Sequence, residues 1–171
     1  MAVYRVKLFT SKTNQYHYGD RDYCLKNNLL SVGWVVKKNE NIEDYEKRYL
    51  NQYEKEKIKA QKESKKIPRN SFKTCFIKNM KNIINDDFVW VKTDGTTYYL
   101  GQIKSDLKKD ENNLRIGFVR DCNWLKIKIE NIPEQVRRRF VGSGYTLVKM
   151  NVDEDFEMLC KKLYENAKDK G

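Results

Sequence analysis

The chain has 171 residues, with 35 Lys and Arg against 24 Asp and Glu, which gives a formal net charge of +11 at pH 7. This length predicts a single domain that buries enough surface to fold without disulfides or a metal. An apolar content of 39% with 12% aromatic residues excludes a wholly disordered chain, and the apolar runs are too short for a membrane helix.

The first part of the chain predicts two strands separated by a short helix. Residues 3–9 are rich in β-forming side chains and predict the first strand. A polar loop follows, and residues 20–27 predict a short helix. Residues 29–36 predict the second strand, whose interior Gly33 indicates a bulge or a close approach of another group.

Residues 41–84 predict a long, basic helical insertion. Asn41 is a suitable N-cap, and acidic residues follow it in the first turn, where the helix dipole favours them. Side chains at helical spacing then give an aromatic stripe along residues 41–66. The members of this stripe are Ile42, Tyr45, Tyr49 and Tyr53. Pro68 ends this helix, and a second one begins at residue 70 or 71.

The rest of the chain predicts further strands and a closing helix. The predicted strands cover residues 88–92, 97–103, 114–120, 124–129 and part of 140–150. Asp94-Gly95 is a strong hairpin signal between the first two of them. Pro133 suits the first position of a short helix, and residues 153–168 predict the closing helix. Its apolar face would comprise Phe156, Leu159, Cys160 and Leu163.

Together these elements predict an α+β fold with a mostly antiparallel, six-stranded, barrel-like sheet flanked by helices. The sequence shows no internal repeat and no clear internal boundary. We therefore expect residues 1–171 to form one domain, with the basic helical insertion at about 41–84. The N-terminus lacks the apolar core of a signal peptide, which predicts a cytoplasmic or nuclear protein, with the cytoplasm as our choice.

The residues that usually carry catalysis are scarce. His17 is the only histidine, and the cysteines are too widely spaced for zinc or a disulfide framework. Residues 142–144 (Gly-Ser-Gly) read as a turn, and no phosphate-binding loop is present. Asp94 followed by Gln102-Ile103-Lys104 resembles a nuclease centre only distantly. We therefore expect no enzyme, no metal and no cofactor.

The charge excess is concentrated in two places. Between residues 53 and 81 there are ten basic residues against three acidic ones, and Arg137-Arg138-Arg139 forms a second cluster. Such clusters are typical of nucleic-acid backbone contacts. A solvated, lysine-rich helix face is an equally good explanation of the charge alone.

Aromatic residues offer a means of binding a base. Trp34, Trp90 and Trp124 each fall in a predicted strand, and Tyr98-Tyr99 falls in another. Aromatic rings stack on single unpaired bases, and a cage of rings can favour a methylated base. For any one of these tryptophans, a place in the core is the simpler expectation.

Several short segments in order resemble the YTH/EVE group of the PUA-like fold, which reads modified bases. These segments are Ser31-Val32-Gly33-Trp34, Tyr98-Tyr99-Leu100-Gly101-Gln102-Ile103, Cys122-Asn123-Trp124-Leu125-Lys126-Ile127 and Ile132-Pro133. The resemblance implies a PUA-like fold. It also implies the DNA-recognition part of a McrBC-like, modification-dependent restriction system, with a motor ATPase and a nuclease subunit as partners.

The resemblance also implies a pocket for a modified base. Trp34 would be one wall, with Asn14 and Asn123 meeting the base and Lys12 a phosphate. The loop that follows Ile103 has no tryptophan for the second wall. The candidates for that wall are Trp90, Tyr99 and Tyr18. The predicted backbone contacts are Lys12, Lys65, Lys66, Arg69, Arg137 and Arg138.

We therefore expect a non-enzymatic module that flips a modified base of DNA into an aromatic cage, as the specificity domain of a bacterial defence system. On this hypothesis Trp34→Ala keeps the fold and loses discrimination. The alternatives are an RNA-binding PUA-like protein and a protein-interaction module with an acidic partner. Residues 166–171 resemble the start of a linker to a further domain.

Overall fold

A computed structural model describes residues 1–8, 20–93, 95–141 and 146–170. The predicted polar loop with Lys12, Asn14 and Tyr18 lies outside these residues. So do Asp94 of the hairpin signal and the Gly-Ser-Gly turn.

The strands form one curled sheet, a half-barrel, in the order β2-β6-β4-β3-β1-β7, with β5 paired to β6. The strands are β1 (Val3–Val6), β2 (Leu29–Ser31), β3 (Phe88–Lys92), β4 (Tyr98–Ile103), β5 (Lys108–Lys109), β6 (Phe118–Ile127) and β7 (Leu147–Lys149). β1 runs parallel to β3, with Val3 opposite Phe88, whereas the other pairings of the described residues are antiparallel. The sheet is therefore mixed: five of the six described pairings are antiparallel, and the parallel pairing of β1 with β3 was not predicted.

Several predicted strands have different bounds in the structure, beginning with β1, which ends at Val6 rather than at residue 9. β2 ends at Ser31 rather than at residue 36, because Gly33 and Trp34 adopt left-handed φ angles of 77° and 65°, which no strand accommodates. Leu114–Ile116 form a short 3₁₀-helix instead of strand, and the remainders of the strands predicted at 114–120 and 124–129 merge into one strand, β6. This length lets β6 pair with β2, β4 and β5 along its course.

The described helices are α1 (Arg21–Lys26), α2 (Ile42–Lys62), α3 (Glu134–Arg139) and α4 (Glu154–Lys168). Side chains of Asp20, Asn41 and Asp153 cap the first, second and fourth of them, which confirms Asn41 as an N-cap. The second helix of the insertion is a π-helix, Lys73–Met80, in which Lys81 N donates to Phe76 O. None of these helices is both long and apolar enough to cross a membrane.

The sheet separates two cores because side chains alternate between its faces. On β3, Val89 and Val91 join the first core, under α1, α2 and the π-helix. Phe88 and Trp90 join the second core, which α3 and α4 cover. α4 buries Phe156, Cys160 and Tyr164 there. Leu159, which was predicted on that face, is 40% exposed, because it falls beside the buried stripe in the helical period.

Candidate nucleic-acid interface

The second half of α2 projects from the body of the protein. Tyr45 and Tyr49 are buried in the first core, whereas no residue of 54–69 is buried. The chain turns back at Ser64, whose φ is 51°. The Tyr53 hydroxyl donates to Pro68 O at 3.2 Å, so the returning segment lies against the point where the projection begins. We call residues 54–69 the basic arm.

Three lysines form a stripe along the helical part of the basic arm. Lys55, Lys59 and Lys62 are all exposed and stand at positions i, i+4 and i+7, which share one face of a helix. By the helical period, that face lies about a quarter turn from Tyr45 and Tyr49 and opposite the half-buried side of Tyr53, Lys57 and Ala60. The ion pairs of the arm that the described residues form, Lys57 with Glu54 and Lys65 with Glu63, use lysines outside this stripe. We call the three residues the lysine stripe.

Three of the predicted backbone-contact residues lie on the basic arm. Lys65 and Lys66 are exposed just beyond its tip, and Arg69 is exposed where it rejoins the body. The sequence analysis did not predict that the three lysines of the stripe share one face. Their i, i+4, i+7 spacing within the predicted helix would have indicated it.

The arginines of α3 make different contacts. Arg137 donates to Ile132 O at 3.3 Å and to Ile129 O at 2.8 Å, so its guanidinium fastens the preceding turn. Arg138 pairs with Glu134 and, with Arg139, lines an open cleft of about 600 Å³. Of the two arginines predicted as backbone contacts, only Arg138 therefore lines a space that a phosphate could enter. Arg139 lines the same space and was not among the predicted contacts.

The lining of this cleft is mixed in charge, because Asp153 stands beside Arg138 and Arg139. Arg5 and Lys7 are not among its described lining residues. Burial lowers the pKa of Arg5, and the nearby Arg139 acts in the same direction.

Trp34 occupies a tightly held, strained position. The backbone of Gly33 and Trp34 is left-handed, and the Tyr45 hydroxyl donates to Trp34 O at 3.1 Å. The Ser31 hydroxyl accepts from Gly33 N at 3.0 Å and donates to Ile116 O. A left-handed non-glycine residue costs about 1–3 kcal/mol, and such strain clusters at functional sites.

The Trp34 indole lies within an aromatic cluster. It is 5% exposed and makes edge contacts with Phe72 and Tyr49, at ring distances of 5.4 and 6.5 Å. Removing so buried a ring costs about 3–5 kcal/mol. The expectation that Trp34→Ala leaves the fold intact is therefore corrected.

α2 fastens the strained segment to the basic arm. The Tyr49 hydroxyl and the Arg48 guanidinium both donate to Val35 O, at 2.7 and 2.8 Å. Arg48 also pairs with the buried Glu40 at 2.7 Å, and its hydrogen bond lowers the pKa of that carboxyl. The first half of α2, the helix that carries the lysine stripe, is thus hydrogen-bonded to the backbone carbonyl of Val35, the residue after Trp34.

The other predicted pocket residues do not all join Trp34. Tyr99 packs against the first core, which contains Trp34. Trp90 is fully buried in the second core, where its indole N–H donates to Cys160 Sγ at 3.4 Å. Asn123 is exposed and follows the alternation of β6 towards that same face, where its carbonyl accepts from the Tyr164 hydroxyl. The sheet therefore separates Trp90 and Asn123 from Trp34.

The nuclease-like residues form a structural turn. Asp86 accepts hydrogen bonds from Gln102 and Lys104, at 3.1 and 3.3 Å, and Asp94 lies outside the described residues. Asp87 accepts from the backbone N–H groups of Ala2 and Ile84. Among the described residues no group of three acidic, cysteine or histidine side chains could hold a metal ion.

All four cysteines are free and buried. Burial raises the pKa of each thiol, to about 11 for Cys160. Such thiols stay protonated at neutral pH and are poor nucleophiles.

The fold and the basic arm define a basic α+β module with a curled mixed sheet. The model of the domain of unknown function DUF8426 matches residues 7–151, and the chain belongs to that family. No curated protein and no solved structure matches the chain. The matched segment ends before α4, although α4 supplies buried residues to the second core.

Proposed function

We propose that this protein is a nucleic-acid-binding module that grips a phosphate backbone with its basic arm. The observation that carries the proposal is the lysine stripe, which stands on a helix extending beyond the core. A helix of 21 residues is about 30 Å long, so its exposed half offers a long contact surface. The arginine cleft next to α3 supplies a second place for a phosphate.

A helix whose lysines serve only solubility would not need to project in this way. The first half of α2 already buries the tyrosines that hold it to the sheet. The second half adds exposed backbone and like charges without adding to the core, which is unfavourable for the isolated chain. A polyanionic partner offsets both costs, and nucleic acid is the polyanion whose charge is most regular.

Changing the lysine stripe to alanine tests this proposal. We expect the triple variant Lys55→Ala, Lys59→Ala, Lys62→Ala to bind duplex DNA more weakly than the wild type. The plot of log K against log salt should also lose about 2–3 in slope, because each phosphate contact contributes about 0.9. Fluorescence anisotropy with a labelled duplex over a series of salt concentrations measures both quantities.

A matched control removes the same charge elsewhere. Lys161, Lys162 and Lys168 are exposed on α4, and their replacement by alanine should leave most of the slope in place. An equal loss in both variants would show that net charge, not the arm, drives binding. A wild type that binds neither DNA nor structured RNA at physiological salt would instead favour an acidic protein partner.

The finer proposal is that the module reads a modified, methylated base of DNA flipped against Trp34. Because the indole is 5% exposed, a neighbouring ring of the cluster, Tyr49 or Phe72, would have to move to admit the base. Two observations support the proposal: the strained backbone of Trp34, and the direct attachment of that segment to the helix that becomes the arm. Tyr99 is the second wall that this proposal retains, because it packs on the same core. The resemblance to YTH/EVE proteins extends the proposal to the specificity domain of a restriction system with a motor ATPase and a nuclease.

Discrimination between modified and plain DNA tests the role of Trp34. In Trp34→Leu, we expect the ratio of the two affinities to fall by roughly tenfold, since an aromatic platform contributes ~1–3 kcal/mol per base. The ratio cancels the part of any affinity loss that comes from lower stability. Duplexes with methylated or hydroxymethylated cytosine or methylated adenine serve as probes. Trp90→Leu, in the other core, is the control, and an equal fall in both variants would contradict the assignment.

A further inference from the structure

A groove between the end of β6 and the last turns of α4 has the composition of a small-molecule site. Its volume is about 380 Å³, within the usual range of ligand pockets. Its apolar lining comprises Leu125, Ile127, Leu163 and Ala167. Its polar lining comprises Lys126, Lys128, Lys170, Asn131 and Asn166. No carboxylate is among the described residues that line it.

The groove exists because α4 is longer than the sheet it covers. Phe156, Cys160 and Tyr164 are buried against the sheet. The same stripe continues with Leu163 and Ala167, which are only half-buried. β6 ends at Ile127, and the chain then turns away through residues 129–131. The last turns of α4 therefore extend apolar side chains past their partner strand.

The positive charge at the edge of the groove is only partly explained by the C-terminus of α4. A lysine at the C-terminus of a helix is favoured by the helix dipole, which accounts for Lys170. Lys126 stands opposite Tyr99 in the sheet register, so its side chain points to the first-core face and only its backbone borders the groove. Lys128 lies in the turn after β6, so the dipole does not account for it. Lys128 and Lys170 beside an apolar floor complement a molecule that has an apolar body and an anionic head.

We propose that this groove binds a small amphipathic anion, an aliphatic or aromatic molecule bearing one carboxylate, sulfonate or phosphate group. The body would pack on Leu125, Leu163 and Ala167, and the head would meet the lysines of the rim. The groove lies on the face of the sheet opposite to the one that carries the basic arm. This site is thus separate from the basic arm, and it shares no lining residue with the arginine cleft on the same side of the sheet.

A pair of probes with the same apolar length tests the groove. Octanoate has a charged head and octanol a neutral one. We expect octanoate to produce saturable shifts of the amide signals of residues 125–131 and 163–170 in ¹H–¹⁵N NMR spectra. Octanol should bind about tenfold more weakly. Shifts absent from these residues, or equal affinity for both probes, would overturn the proposal.

Variants separate the floor from the rim. Ala167→Phe places a ring in the groove and should abolish binding of both probes. Lys128→Gln with Lys170→Gln should reduce octanoate affinity to that of octanol. Lys161→Gln with Lys162→Gln on the outer face of α4 is the control and should change neither. Amide spectra of each variant without probe establish that it is folded, and unchanged octanoate affinity in the rim variant would refute the anionic class.

Discussion

Arg120→Leu is expected to lower the free energy of unfolding by about 3–4 kcal/mol, because a charged, buried side chain that bonds three carbonyls is removed. Arg120 on β6 is 5% exposed. Its guanidinium donates to Met80 O at 3.0 Å, Lys81 O at 3.1 Å and Ser105 O at 3.1 Å. It thereby satisfies the carbonyls at the end of the π-helix and joins the insertion to the sheet.

Urea unfolding followed by circular dichroism measures this change. The lost hydrogen bonds exceed the gain from no longer burying a cation, since leucine offers the carbonyls no donor. Arg120→Lys keeps the charge but not the planar guanidinium, so its free energy of unfolding should lie between those of the wild type and Arg120→Leu. Arg115→Leu is the control, because Arg115 is exposed at the end of a short turn. A change in Arg120→Leu no larger than that of the control would refute this role.

Much of the fold was predictable because its signals are local. The cap at Asn41, the aromatic stripe and Pro68 predicted the helical insertion, and the structure places α2 and the π-helix there. The bounds of β2 were not predictable from its β-forming residues. Only packing of Gly33 and Trp34 against distant residues makes their left-handed backbone favourable. The continuity of β6 likewise depends on three partner strands that lie far away in the sequence.

The candidate site was predictable only in part, for a geometric reason. A lysine on a helix has neighbours fixed by the helical period, so the sequence could have identified the lysine stripe. Trp34 and Trp90 lie on different segments, and their relative position depends on how those segments pack. Alternation within β3 predicts that the side chains of Val89 and Trp90 point to opposite faces of the sheet. No local pattern predicts which of these two faces Trp34 covers. The structure answers that by placing Trp90 in the second core.

Gly117→Ala is expected to destabilise the protein by about 3–4 kcal/mol and to disturb the position of Trp34. Gly117 has a φ of 73°, and a Cβ there would lie 2.4 Å from Trp34 O and 3.1 Å from Gly33 O. With a ψ of −133°, Gly117 has a backbone conformation that other residues rarely adopt, and this costs about 1–3 kcal/mol. The overlap with a backbone carbonyl adds the rest, because that carbonyl is also held by the Tyr45 hydroxyl and cannot withdraw without breaking the bond.

Gly95→Ala is the matched comparison. Gly95 has a similar φ of 67°, and nothing lies within 4 Å of a Cβ at that position. The difference between the two variants in urea unfolding therefore measures what the Gly117 backbone conformation and its contacts with Trp34 O, Gly33 O and the Tyr45 hydroxyl cost together. Near-ultraviolet circular dichroism should change in Gly117→Ala and not in Gly95→Ala, because only the former displaces an indole. Equal losses of unfolding free energy in both variants would mean that the backbone around Trp34 shifts at little cost. Such a backbone could not hold the indole in a fixed position for stacking on a base.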